Sequence, residues 1–260
     1  TAGAGYDKLD LAAATRRGVI CCNNGNLNSN RVADFALMMV LNLLRQSFAT
    51  VQHMNAGDWK ASRIPALDAL EVEGKTVGII GFGSIGAKVG RRAHAFDMKV
   101  IYNDVKPDAS LEVARQIGAA RVEKEDIYRS ADVITIHTDF NSQSRNMIGA
   151  KEIALMKPGA FLVCTARGGI IDEKALRQAL DEGRLGGAAM DVFTTEPMAQ
   201  NNPLLGAKNI YLTPHIAGKG KEGVQKSFDA AMNNLRQGLA GKPTQNLLNP
   251  QALRQAEPAR

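Results

Sequence analysis

The 260-residue sequence has little of what several protein classes require. It holds one Trp and three Cys, and aromatic residues make up 5% of it. Cys21, Cys22 and Cys164 form an odd set without metal-ligand spacing, so neither a disulfide scaffold nor a zinc site is expected; buried thiols in a reducing, cytoplasmic compartment are. No long hydrophobic run is present. The longest apolar stretch, 32–44, is interrupted by Asp34 and Asn42, too short and too polar to span a bilayer, and no signal peptide is visible. Nor is there a basic cluster. The net charge of +6 is shared evenly, with 17 basic and 14 acidic side chains in residues 1–130 and 15 and 12 in the rest. Nucleic-acid binding needs clustered cations, so it is not expected, and a mildly positive surface suits small anionic substrates. Repeats and low-complexity tracts are absent too, and 45% hydrophobic with 22% charged residues is an ordinary globular balance.

What is present is alternation. Short, mostly apolar runs at Gly18–Cys22, Lys75–Gly81, Lys99–Asp104, Asp132–His137, Ala160–Thr165, Gly187–Phe193 and Asn209–Thr213 are separated by helical patterns. Strands apolar on both faces belong to a parallel sheet covered on both sides, so the fold class expected is α/β with a doubly wound parallel sheet. Ser29 or Asn30 can cap a helix over Arg31–Gln46 whose apolar residues surround nearly its whole circumference. Such a helix must be buried, within one chain or against a second copy. Residues 55–74 read as a connecting loop, 224–239 as a helix and 251–260 as a frayed end.

One turn carries a specific signal. The run Lys75–Ile80 leads into Gly81-Phe82-Gly83-Ser84-Ile85-Gly86, with a helical pattern from Ala87 to Ala95. In that setting Gly81 permits the tight turn, Gly83 lets backbone approach a pyrophosphate at a helix N-terminus, and Gly86 lets helix and strand pack closely. Asp104 closes the next strand 23 residues after Gly81, where a carboxylate can accept both ribose hydroxyls and repel a 2′-phosphate. NAD is therefore expected over NADP, although Lys106 could meet a phosphate.

Hydride transfer to a 2-oxo acid needs a planar cation for the carboxylate, a proton donor for the carbonyl oxygen and a group that tunes the donor. Three strand ends offer these. Arg167 lies in Thr165-Ala166-Arg167-Gly168-Gly169, His215 follows Thr213-Pro214, and Glu196 lies in Asp191-Val192-Phe193-Thr194-Thr195-Glu196-Pro197. Carboxyl ends of strands are where open α/β sheets bind ligands. Spacing alone does not show that Glu196 and His215, 19 positions apart, meet. His53, His94 and His137 lack such company and read as structural.

These blocks, with Gly3-Ala4-Gly5-Tyr6-Asp7, Val32-Ala33-Asp34, Leu155-Met156-Lys157-Pro158-Gly159 and Asn202-Pro203-Leu204, make the chain resemble the D-isomer-specific 2-hydroxyacid dehydrogenases, which include phosphoglycerate dehydrogenases and glyoxylate/hydroxypyruvate reductases. The resemblance implies Arg167 gripping the substrate, His215 as general acid and base, Glu196 tuning it, and Asp191 holding the nicotinamide carboxamide. It places Ser84, Ile85, Asp104, Thr138, Ser144, Thr165 and Ala166 along the cofactor groove, and backbone N–H groups of Ala4 and Gly5 at the substrate carboxylate. Glu196 argues against formate dehydrogenases, which place Gln there. Asp139 departs from the Pro usual in the family. The resemblance also implies a homodimer joined through the apolar helix, and a dinucleotide domain over 28–213 flanked by remnants of a discontinuous flavodoxin-like substrate domain at 1–27 and 214–260. Family members carry a further segment ahead of the part that starts here, so a chain beginning at Thr1 would expose apolar surface and turn over poorly. The rival readings are a NAD-sensing protein like the family's corepressors and an inactive fragment.

Overall fold

The computed structural model describes residues 1, 3–106, 108 and 110–254. In chain order the elements are α1 (Leu11–Arg16), α2 (Ser29–Arg45), α3 (Ser47–Asn55), α4 (Trp59–Ser62), α5 (Ile64–Leu67), β1 (Thr76–Ile80), α6 (Ser84–His94), β2 (Lys99–Asn103), α7 (Leu111–Gln116) and β3 (Ala120–Arg121). There follow α8 (Lys124–Ser130), β4 (Val133–Ile136), α9 (Ala150–Leu155), β5 (Phe161–Cys164), α10 (Glu173–Asp181), β6 (Gly187–Met190), β7 (Ile210–Leu212), α11 (Lys221–Leu239) and a 3₁₀ turn at Pro250–Arg254. They divide into two compact units, 32–217 and 1–31 with 218–260.

The larger unit is built on one seven-stranded sheet in the order β3-β2-β1-β4-β5-β6-β7, every pair parallel. Parallel neighbours require crossovers, and helices supply them on both faces except between β6 and β7, where residues 191–209 cross without a helix. Strand periodicity then sorts the core into two layers. Val77 and Ile79 of β1, Val133 of β4 and Phe161 and Val163 of β5 join Ala36, Leu43 and Val89 of α2 and α6 in one. Ile80, Ile134, Ile136, Leu162 and Cys164 join Ile127, Ile153, Leu176 and Leu180 of α8, α9 and α10 in the other. A fully buried Leu or Ile contributes about 1.5–3 kcal/mol, which is why strands without a polar face are stable only here. Strand order reverses between β1 and β4, the crevice where such sheets bind ligands.

Several expectations need correction. The run Gly18–Cys22 forms no strand: only Cys22 pairs, in an isolated antiparallel bridge to Leu247, because no neighbouring strand of its own unit offers a ladder. Residues 55–74 hold the short helices α4 and α5, started by the Asp58 carboxylate accepting the Ala61 N–H at 2.8 Å and by Pro65. β3 was not foreseen, having two residues, both exposed. α2 is buried on one side rather than all round; Met39 is 2% exposed and its neighbour Met38 43%. Cys164 is buried, but Cys21 and Cys22 are half-buried, and all three are free thiols. Of the expected frayed end, residues 255–260 lie outside the described residues.

The smaller unit has α1, α11 and the 3₁₀ turn; Asn249, just before that turn, ties it to the end of α1 and the chain after it, accepting the Cys21 N–H at 2.8 Å and donating to the Thr15 hydroxyl at 3.1 Å and to Val19 O at 2.9 Å. α11 leaves Val224, Phe228, Leu235 and Leu239 exposed along one stripe. Among the described residues no single helix is long and apolar enough to cross a membrane; α2 and α3 meet only across a 75° bend.

Candidate active site

The first half of the site is the turn between β1 and α6. Gly81 has φ +91°, and a Cβ there would stand 2.7 Å from the His137 carbonyl group. A Cβ on Gly86 would stand 2.0 Å from the Gly81 carbonyl oxygen. Both glycines are thus explained by the chain's own packing. Gly83 is not: a Cβ there meets nothing within 4 Å. It is also the N-cap of α6, and no side chain caps that end, so the helix amides face the space that Gly83 leaves clear. Beside it, Asp104 at the end of β2 accepts the Phe82 N–H at 2.7 Å and the Lys106 N–H at 2.8 Å, which pins its carboxylate.

Thr138 follows β4 and Thr165 follows β5. Each has a buried hydroxyl oxygen without a hydrogen-bond partner among the described residues. An open cradle at Gly83, uncapped helix amides, a fixed carboxylate and two orphaned hydroxyls fit a dinucleotide. Ser84 and Ile85 are half-buried on the first turn of α6, and Ala166 is nearly covered. Ser144 is buried, and its hydroxyl serves its own loop, donating to Asp139 O at 2.7 Å and accepting the Asn141 N–H at 2.8 Å.

The second half comes from β5, β6 and β7, consecutive in the sheet, about 4.8 Å apart. Arg167 follows β5, half-buried, with Nη1 donating to Ala166 O at 2.7 Å. Glu196 lies on the loop after β6, and His215 follows β7. His215 Nδ1 and Glu196 Oε2 are 2.7 Å apart, the pair partly exposed, while Glu196 Oε1 accepts the Phe193 N–H at 3.1 Å. Since Nδ1 faces the carboxylate, Nε2 is the nitrogen left to exchange a proton with a ligand. The backbone of His215 has φ +53°, a strained left-handed conformation for a side-chain-bearing residue.

Asp191 accounts for that strain, a role for which spacing gave no signal. It is fully buried; Oδ1 accepts the Thr213 hydroxyl at 2.6 Å and the Ile216 N–H at 2.9 Å, Oδ2 accepts the Ala217 N–H at 2.8 Å, and its carbonyl accepts the His215 N–H at 2.8 Å. The carboxylate thus organises the turn that presents the imidazole. Ala4 and Gly5 belong to the other unit, where Ala4 O accepts Asn23 Nδ2 at 2.6 Å. Burial pushes His137 down to about 3, so it is uncharged near neutrality and pairs with the Thr135 hydroxyl at 2.9 Å. Burial likewise raises the Cys164 thiol to about 11, which leaves no thiolate nucleophile there. Among the described residues no group of three or more His, Cys, Asp or Glu could hold a metal.

Residues 37–217 match the family described as D-isomer specific 2-hydroxyacid dehydrogenase, NAD binding domain. The chain is 36% identical over 260 residues to a glyoxylate reductase of Thermococcus litoralis, covering 98% of this chain and 77% of that protein. It is 37% identical over 249 residues to a D-3-phosphoglycerate dehydrogenase of Methanocaldococcus jannaschii, covering 95% of this chain and 46% of that longer protein. Among solved structures, a glyoxylate reductase from Paecilomyes thermophila superposes with a TM-score of 0.87 at 34% identity, over 96% of this chain and 74% of the other. A glycine turn with an open phosphate cradle, a sheet of matching topology and a family match over most of the larger unit converge: the chain belongs to the D-isomer-specific 2-hydroxyacid dehydrogenases, NAD-dependent oxidoreductases.

Proposed function

We propose that the protein interconverts a small 2-oxo acid and its D-2-hydroxy acid with NAD(H). The observation that carries this reading is the 2.7 Å pairing of His215 Nδ1 with Glu196 Oε2, two strands along from Arg167 at one edge of the sheet. When bound, the nicotinamide supplies or accepts the hydride at C2 of the substrate. Arg167 binds the substrate carboxylate with a planar, permanently charged fork and orients the carbonyl. His215 gives the Nε2 proton to the carbonyl oxygen as negative charge develops there, and takes it back in the oxidative direction. Glu196 keeps the Nδ1 proton in place and balances the charge of the ring. Asp191 holds the His215 turn in its strained conformation, so the ring need not reorganise between steps.

NAD is the preferred dinucleotide in this reading, since two backbone amides hold Asp104 where a 2′-phosphate would have to sit. The substrates to test are glyoxylate, hydroxypyruvate and the oxo acid of 3-phosphoglycerate, suggested by the relatives' names. The experiment is NADH oxidation over that panel, with Arg167→Ala beside the parent. Turnover by the parent and a loss of about 100-fold or more in the variant, with NADH affinity unchanged, is expected, because a charged bidentate contact made in the transition state disappears. Equal turnover in the variant would remove Arg167 from the reaction.

A further inference from the structure

The His215–Glu196 pair is too exposed to hold itself together. Its side chains keep 46% and 28% of their surface in solvent, and exposed ion pairs contribute only about 0–1 kcal/mol. Something else must place the Glu196 loop. Glu196 Oε1 already accepts the Phe193 N–H, so Phe193–Glu196 is one closed turn, and the carboxylate goes wherever Phe193 and Thr194 go.

Two contacts decide that position. A Cβ on Gly168 would fall 1.8 Å from the Phe193 carbonyl oxygen, so the bare glycine lets the Glu196 loop press against the loop of Arg167. From the other side, Glu173 in the first turn of α10 accepts the Thr194 N–H on Oε1 at 2.7 Å and the Asn202 Nδ2 on Oε2 at 2.8 Å. One carboxylate therefore grips both ends of the arc 194–202 on which Glu196 lies. Asn202 is itself fixed by the Leu204 N–H at 2.9 Å, and one helical turn along, Arg177 donates to Pro203 O at 2.8 Å and Leu205 O at 3.0 Å.

We propose that Glu173 is a positioning residue for the reaction: by clamping Thr194 and Asn202 to α10, it holds the Glu196 carboxylate against His215. The Asn202-Pro203-Leu204 block thereby acquires a task as the far jaw of the clamp. Without Glu173 the Thr194 N–H turns to water, the far end keeps only the Arg177 bonds to Pro203 O and Leu205 O beyond the arc, and Glu196 samples positions from which it cannot hold the imidazole. The importance for turnover rests on the reaction proposed above; the clamp itself does not.

The test is a double-mutant cycle on the full chain. Glu173→Ala should lower kcat for 2-oxo acid reduction by about 30-fold, within the range that small misplacements cause, with KM and NADH affinity changed by no more than about twofold. In a Glu196→Gln background the same substitution should cost less than about threefold, because the carboxylate it positions is gone. Equal losses in both backgrounds, or no loss in either, overturn the proposal. Should Glu173→Ala fail to fold, Asn202→Ala removes one jaw and is read in the same way. An arm independent of turnover follows the low-field proton NMR signal of His215 Nδ1–H, expected in the parent and broadened by exchange in the Glu173 or Asn202 variant. An unchanged sharp signal in the variant overturns the clamp. A parent that reduces none of the 2-oxo acids overturns the proposed reaction, and the NMR arm then decides the clamp alone.

Discussion

Replacing Gly83 by alanine should leave the fold intact and destroy cofactor binding, whereas the same change at Gly86 should damage the fold first. At Gly86 the new methyl would stand 2.0 Å from the Gly81 carbonyl oxygen, so α6 must move off β1, at a cost of about 1–3 kcal/mol or more. At Gly83 the methyl meets nothing in the protein, and the backbone is extended, with φ −73° and ψ −154°. The loss of a glycine N-cap costs about 0.5–1 kcal/mol, and the stiffer unfolded chain returns about 0.4–1 kcal/mol, so the net effect is within about 1 kcal/mol. The methyl does, however, stand in front of the helix amides that a pyrophosphate needs. Losing one or two charge-assisted hydrogen bonds, about 3 kcal/mol together, weakens binding about 100-fold. Urea unfolding and titration of NADH fluorescence read the two quantities separately. Parental NADH affinity in Gly83→Ala would show that the phosphates do not lie on this turn; parental stability in Gly86→Ala would show that the helix and strand do not touch there.

Two further outcomes follow from the site. Burial pushes the folded-state His137 down to about 3 from an ordinary value near 6.5, so between those pH values the unfolded chain takes up a proton that the folded chain refuses. The contribution is fully present above pH 6.5 and is lost on acidification, by about 2 kcal/mol between pH 7 and pH 5. His137→Gln should flatten the urea-unfolding free energy over that range by about this amount, and parallel curves for parent and variant would contradict the assignment. Asp104→Ala removes the pinned carboxylate from the ribose end and should bring the NADPH-to-NADH ratio of kcat/KM up by about tenfold or more, since one repulsive charge near a phosphate is worth at least about 1.4 kcal/mol. An unmoved ratio would mean that another group selects the dinucleotide.

Sequence reasoning reached furthest where the physical cause is local. The turn Gly81–Gly86 is a strand, a tight bend and a helix start in immediate succession, and two of its glycines are required by contacts inside that same stretch or with the adjoining β4 end. Strands β1, β4 and β5 were legible because burial on both faces makes them almost wholly apolar, the buried Thr135 having its hydroxyl paired with His137. The same rule misled at Gly18–Cys22, whose run resembles a strand but lacks neighbours to pair with. It missed β3, whose two residues are too few to carry a pattern. α2 is as apolar as the sequence implied, yet Met38 and Met39 differ by 41 percentage points in exposure, a matter of which side of the helix meets the sheet.

Residue types and strand ends in the sequence determined which side chains are equipped for this chemistry: a guanidinium after β5, a carboxylate after β6, an imidazole after β7 and a glycine turn after β1. Only the tertiary structure decided that they work on one another. The parallel alignment of β6 and β7 brings Glu196 and His215, 19 positions apart, to 2.7 Å; the buried Asp191 bends the His215 turn, and Glu173 reaches from α10 to hold the loop of Glu196. These contacts join residues distant along the chain, so their distances are set by how strands and helices stack, and no periodicity or motif within a single segment encodes them.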